Sequence, residues 1–110
     1  MTTHAILLCI PTKNKQEAVS IARILLAEKL IACANIVPQM QSLFIWEGKM
    51  QEEEESLLLA KTTATLQEQA MQRAAELHSY ECPCITAFSA DHAHPPFSDW
   101  LDKQLHASAN

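Results

Sequence analysis

The chain contains a single glycine, Gly48, which follows Glu47 and separates two strand-like runs, residues 33–46 and 49–62. Glycine takes positive φ at no steric cost, so Glu47-Gly48 is the strongest tight-turn signal in the sequence, and the two runs read as a hairpin. Fourteen residues per run, at about 3.3 Å each, make an arm of roughly 46 Å. A compact domain of this length has a radius of gyration of only about 13 Å. The arm therefore projects beyond its own core, even when bent at Pro38, which cannot donate to a ladder. Long exposed strand edges need partners, and another copy of the chain is the simplest source. The other reading is a shorter hairpin, frayed by the charges of Glu52 to Glu55.

The flanking segments complete the pattern. Residues 4–12 are apolar on both alternating faces, as in a central strand buried on both sides. Thr12 and Asn14 can cap a helix over 15–31, where Ala18, Ile21, Ala22, Leu25 and Lys29 recur at helical spacing and Leu26 and Leu30 widen the stripe. Leu57, Leu58, Leu59 and Ala60 read as buried on both faces of the hairpin's second strand. Thr65 opens a second helix carrying Leu66, Ala70, Ala74 and Leu77, and residues 84–90 form another strand. Pro95 or Pro96 starts a last helix with Phe97, Trp100, Leu101 and Leu105 on one stripe. This order suits an α+β fold, a split β-α-β repeat with a four-stranded antiparallel sheet and a C-terminal helix. Right-handed crossovers put the first two helices on one face. The 110 residues fit one domain, 1–110.

Charge and composition exclude several functions. A net charge of −5 with eight scattered basic residues is no footprint for nucleic acid. One glycine rules out a glycine-rich phosphate cradle. The apolar run Ala5 to Pro11 is too short to cross a bilayer and lacks the flanks of a signal peptide, so no membrane partner is expected. A cytoplasmic protein with reduced thiols is the expectation. Nothing pairs a nucleophile with a positioned base, so an enzyme is not expected.

Three segments together resemble the CutA family. They are Ala32-Cys33-Ala34-Asn35-Ile36-Val37-Pro38 continuing through Ser42-Leu43 to Trp46-Glu47-Gly48-Lys49; Glu54-Glu55 to Leu57-Leu58-Leu59-Ala60-Lys61-Thr62; and Leu77-His78-Ser79-Tyr80-Glu81-Cys82-Pro83, with Trp100-Leu101 following. The opening strand ending at Cys9 is similar as well. The resemblance covers nearly the whole chain. It implies a ferredoxin-like subunit, a homotrimer built through strand edges, and a role in tolerance of copper and other divalent cations, without enzymatic activity. The family's trimer is similar to that of the PII signalling proteins, which bind small ligands between subunits. Here Ser79 stands where the family has Pro, and Cys84 where Glu is common.

For metal, the resemblance points to Cys9 with His78 as a copper site. From the residues alone, Cys82 and Cys84 form a second candidate, because thiols two apart on an extended segment point the same way. Thiolate and imidazole suit copper or zinc, and thiolate favours Cu(I). Each cysteine also has an ordinary reading as a small apolar residue. His92 and His94 would share a side if extended, with solvated imidazoles as the plainer reading. Glu52 to Glu55 read best as a solvated, edge-guarding face. Trp46 and Trp100 are read as core or interface anchors. A second class of function is a PII-like sensor of an anionic metabolite in an intersubunit cleft, with Lys61, Tyr80 and Glu81 as polar candidates by resemblance.

Overall fold

A computed structural model describes residues 4–106. The chain runs β1 (Ala5–Thr12), α1 (Lys15–Ala27), β2 (Cys33–Trp46), β3 (Lys49–Thr63), α2 (Gln67–Leu77), β4 (Thr86–Ser89) and α3 (Pro95–His106). The four strands form one antiparallel sheet in the order β2-β3-β1-β4, the ferredoxin-like arrangement.

Alternation along β1 decides where the core lies. Ile6, Leu8 and Ile10 face the helices and are almost fully buried, together with Leu58 and Ala60 of β3. Ala18, Ile21, Ala22 and Leu25 of α1 and Ala70 and Ala74 of α2 close this layer. A smaller cluster of Ala5, Leu101 and Leu105 seats α3 over one end of the opposite face. Among the described residues nothing forms a second layer over the rest of that face, and Leu57 and Leu59 are only half-buried, as is Cys9. Burial on both faces was expected for β1 and β3. Within one chain these strands instead carry more apolar surface than the three described helices cover.

Helix α1 starts where expected. Asn14 Oδ1 accepts from the Glu17 N–H at 2.9 Å, and Glu17 Oε1 accepts from the Lys13 N–H at 3.0 Å. This is a capping box whose return bond falls one residue early. The helix stops at Ala27, short of the expected 31. Lys29 takes φ 62°, and the Leu30 N–H reaches the Leu25 carbonyl at 2.9 Å while Lys29 N–H reaches Leu26 at 3.1 Å. This is a Schellman ending with lysine where glycine is usual. Leu30 and Ile31 still pack into the core, which is why the apolar spacing ran past the helix end.

The hairpin matches the expected arm. Glu47 (φ 50°) and Gly48 (φ 80°) make a two-residue turn with both φ positive, and Trp46 pairs with Lys49. The bend is a bulge, in which register shifts between Val37 and Met40 around Pro38 and Gln39 (φ 59°). The molecule measures 47 × 26 × 22 Å, with a radius of gyration of 14.7 Å. At the arm's tip Leu43, Ile45, Trp46 and Met50 are exposed. Trp100, 40% exposed, stacks on Phe97 with ring centroids 6.0 Å apart.

Candidate functional site

The uncovered sheet face is ordered in cross-strand rows. Cys33, Lys61, Leu7 and Phe88 form one row, Asn35, Leu59, Cys9 and Thr86 the next, and Val37, Leu57 and Pro11 the third. Phe88 is 56% exposed and Val37 46%, so large apolar groups here meet water. Lys61 brings a charge to these rows, and its Nζ donates to Asn35 Oδ1 at 2.9 Å.

Two thiols, Cys9 and Cys33, lie on this face. All four cysteines are free. Cys9 sits mid-strand between Leu59 and Thr86, and Cys84 lies two residues ahead of that Thr86. Burial pushes the Cys9 thiol up, and Cys84 pushes it further. Burial also raises Cys33, against the opposing pull of Lys61. The extended run expected across Cys82 and Cys84 is absent: residues 79–82 bend, and the Ile85 N–H turns back to the Pro83 carbonyl at 3.1 Å. The turn lets Ile85 drop into the core while leaving Cys82 and Cys84 exposed.

His78 closes the end of β1. Its Nδ1 accepts the Tyr80 N–H at 3.1 Å, so Nε2 carries the proton and donates to the Pro11 carbonyl at 2.8 Å. Glu17 Oε2 accepts the Ser79 N–H at 2.8 Å and lies 4.0 Å from His78 Nδ1. Burial raises the Glu17 carboxyl, but donors from Lys13 and Ser79 and the nearby His78 outweigh it and hold the group below its ordinary range. Tyr80 Oη donates to Glu55 Oε2 at 2.6 Å. Burial, that bond and the charges of Glu55, Glu53 and Glu17 hold the phenol far above its usual range. The bond ties the loop to a cleft of about 380 Å³ lined in part by Lys13, Lys15, Gln39, Glu54 and Glu55.

Cys9 thus lies in the sheet and Cys84 in the loop that leads into β4, while His78 has both ring nitrogens engaged and Cys82 lies beyond a bend. Lys61 is six residues along β3 from Glu55, the partner of Tyr80, or roughly 20 Å at strand spacing. Lys61 and Tyr80-Glu81 cannot line one site within a single chain. Among the described residues no group of three or more His, Cys, Asp or Glu is arranged to hold a metal ion. Sequence reasoning missed Glu17 and Glu55 as organisers of the loop. The Glu17 signal was legible in the Asn14-to-Glu17 capping spacing; Glu55 lay hidden in a run of four glutamates.

Comparison with known proteins adds an independent line. The sequence model of the CutA1 divalent ion tolerance protein family matches residues 6–104. The divalent-cation tolerance protein CutA of Escherichia coli is 33% identical over 104 residues, covering 94% of this chain and 92% of that protein. The chain spans 55% of the length of mouse protein CutA, at 30% identity over 97 residues. Among solved structures, CutA1 of Ehrlichia chaffeensis superposes with a TM-score of 0.90 at 30% identity, over 96% of this chain and 98% of that one. CutA1 of Oryza sativa gives 0.89 at 31% identity, with 94% of each chain covered. The match begins in β1, takes in the hairpin and the His78 loop, and runs into α3, so this chain belongs to the CutA1 divalent ion tolerance protein family.

Proposed function

We propose that the chain is a homotrimeric, metal-responsive binding protein of divalent-cation tolerance, with copper as its cation. One observation supports this most: the uncovered sheet face is apolar and carries Cys9, with Cys84 at its border. A face of this kind gains stability when another copy covers it, at about 25 cal/mol per Å² of apolar surface removed from water. The arm supplies further unpaired edges for the same association. Thiolates supply the soft ligands that copper favours. His78 can join as a ligand only by giving up its bond to Pro11 or to Tyr80. Four free thiols suit the reducing cytoplasm, where we place the protein. Among the described residues no helix is long and apolar enough to cross a membrane.

Sedimentation equilibrium combined with copper titration tests this reading. Three chains per particle and saturable copper binding are expected; a monomer, or binding no tighter than to a thiol-free control, overturns it.

A second reading, a sensor of an anionic metabolite, draws on Lys61, the cation set among apolar neighbours on the open face. Because Lys61 and the Tyr80-Glu81 loop lie far apart in one chain, such a site takes them from different subunits. Raised thermal stability with nucleotides but not with metal would favour it.

A further inference from the structure

We propose that the cleft between the head of α1 and β3 is a binding site for a small zwitterion of the α-amino acid class. The ligand's carboxylate is held at the head of α1 and its ammonium by Glu54 and Glu55. No thiol lines this cleft, so the site is separate from any copper ligand.

The cleft encloses about 380 Å³, near the lower end of the roughly 300–1,000 Å³ of small-molecule sites. Among the described residues, two buried groups on its lining lack a partner. Ser56 is only 3% exposed, and its carbonyl accepts from Thr12, but its hydroxyl has no hydrogen bond. Glu55 is 7% exposed; Tyr80 donates to Oε2, and nothing donates to Oε1. Side-chain polar atoms this buried are ordinarily hydrogen-bonded. Both groups are therefore set to receive something the chain does not supply.

The head of α1 adds donors. Asn14 Oδ1 takes the Glu17 N–H, and Glu17 Oε1 takes the Lys13 N–H. The N–H groups of Lys15 and Gln16, the first two residues of the helix, are left without an acceptor among the described residues, and both residues line the cleft. Free N–H groups at a helix start, reinforced by the positive end of its dipole, are suited to a carboxylate. The Ser56 hydroxyl can donate to the same group.

Charge balance selects the ligand. Lys13 and Lys15 share the cleft with Glu54 and Glu55, and no ion pair joins them. An inorganic phosphate or a simple acid would meet two carboxylates, and a simple amine would meet two ammonium groups. A molecule with one charge of each sign suits both. The Tyr80 bond to Glu55 also couples an occupied cleft to the loop that carries His78.

The test is calorimetric titration of the full chain, kept metal-free by a chelator, with each standard L-amino acid. Any amino acid that binds is compared with the matching amine lacking the carboxylate, the matching acid lacking the amine, and inorganic phosphate. Saturable binding of at least one amino acid is expected, weakened about tenfold or more when either charged group is missing. Ser56→Ala and Glu55→Gln, checked for folding by circular dichroism, should each weaken it by a similar factor. Glutamine at 55 still offers Tyr80 an acceptor. Glu68→Gln, which removes an exposed charge on α2, should leave binding unchanged. Absence of binding by every amino acid overturns the site. Equal binding of the amine-free acid or of phosphate overturns the zwitterion, and binding that survives both folded variants places the ligand elsewhere and overturns the cleft. The analogue comparison uses the unmodified chain, so it decides the matter even where a variant fails to fold. Without metal present, none of these outcomes bears on the copper reading.

Discussion

The Nε2 of His78 lies 2.8 Å from the carbonyl oxygen of Pro11 and closes the end of β1 that β4 leaves unpaired. With Nδ1 accepting from Tyr80, the side chain satisfies two backbone groups at once and is itself fully buried. Replacing His78 with Ala strands both groups. Each buried unsatisfied group costs roughly 1–3 kcal/mol, so urea unfolding should show a loss of about 2–6 kcal/mol. An unchanged midpoint would mean that water replaces the ring.

The ending of α1 gives a stabilising change. Lys29 holds a left-handed conformation (φ 62°) that costs a side-chain-bearing residue roughly 1–2 kcal/mol. Glycine removes that cost but adds about 0.4–1 kcal/mol of unfolded-chain entropy. Lys29→Gly should therefore raise stability by about 0.5–1 kcal/mol, readable as a higher denaturant midpoint with unchanged slope.

Leu58 is completely buried between β3 and the helices. Leu58→Ala should cost about 2–5 kcal/mol through lost transfer energy and the cavity it leaves. Leu58→Asp should prevent folding, as judged by loss of the far-ultraviolet dichroism signal.

Leu59, the next residue, points the opposite way onto the open face. On the proposed assembly through this face, Leu59→Lys should leave each chain folded while breaking association. Sedimentation should then give a single-chain mass with native-like dichroism. A trimer that tolerates this substitution would place the subunit contacts elsewhere.

Glu17 gives the pH dependence. Its carboxyl is held below the ordinary range, so the folded state favours its ionised form. The resulting stability is fully present above the unfolded value of about 4.3 and is lost as pH falls through the lower folded value. Glu17→Gln should reduce stability at neutral pH and flatten this acid limb. Unfolding curves collected from pH 6 down to pH 3 would show whether the limb persists.

Much of this architecture was legible because each strand obeyed one simple rule. The turn at Glu47-Gly48, the bulge at Pro38 and the Asn14 cap each left a residue type that could do little else. Lys29 left no such mark. Its backbone conformation is imposed by Leu30 and Ile31 reaching the core, and lysine carries no local signal for it. The half-covered state of Leu57, Leu59 and Cys9 was hidden for a related reason: alternation reports that both faces are apolar, and cannot say whether the chain itself supplies the second layer. At the site, the thiols were visible as residue types. The turn at Pro83–Ile85, which depends on tertiary packing of Ile85, removed the extended run on which Cys82 and Cys84 would have pointed the same way.

β1 is synthesised before the three strands it shares a sheet with, yet it lies between two of them. Its partners are Ser56 to Thr63 on one edge and Thr86 to Ser89 on the other. A ribosome adding about 5–20 residues per second needs roughly 4–15 s to travel from Thr12 to Ser89. Throughout that interval at least one edge of the most apolar strand has nothing to bind. The nascent chain, more than the finished protein, is thus the form most exposed to misassembly. Stalled chains ending before Thr86 should remain protease-sensitive in β1, whereas chains long enough to expose Ser89 outside the ribosome should become resistant.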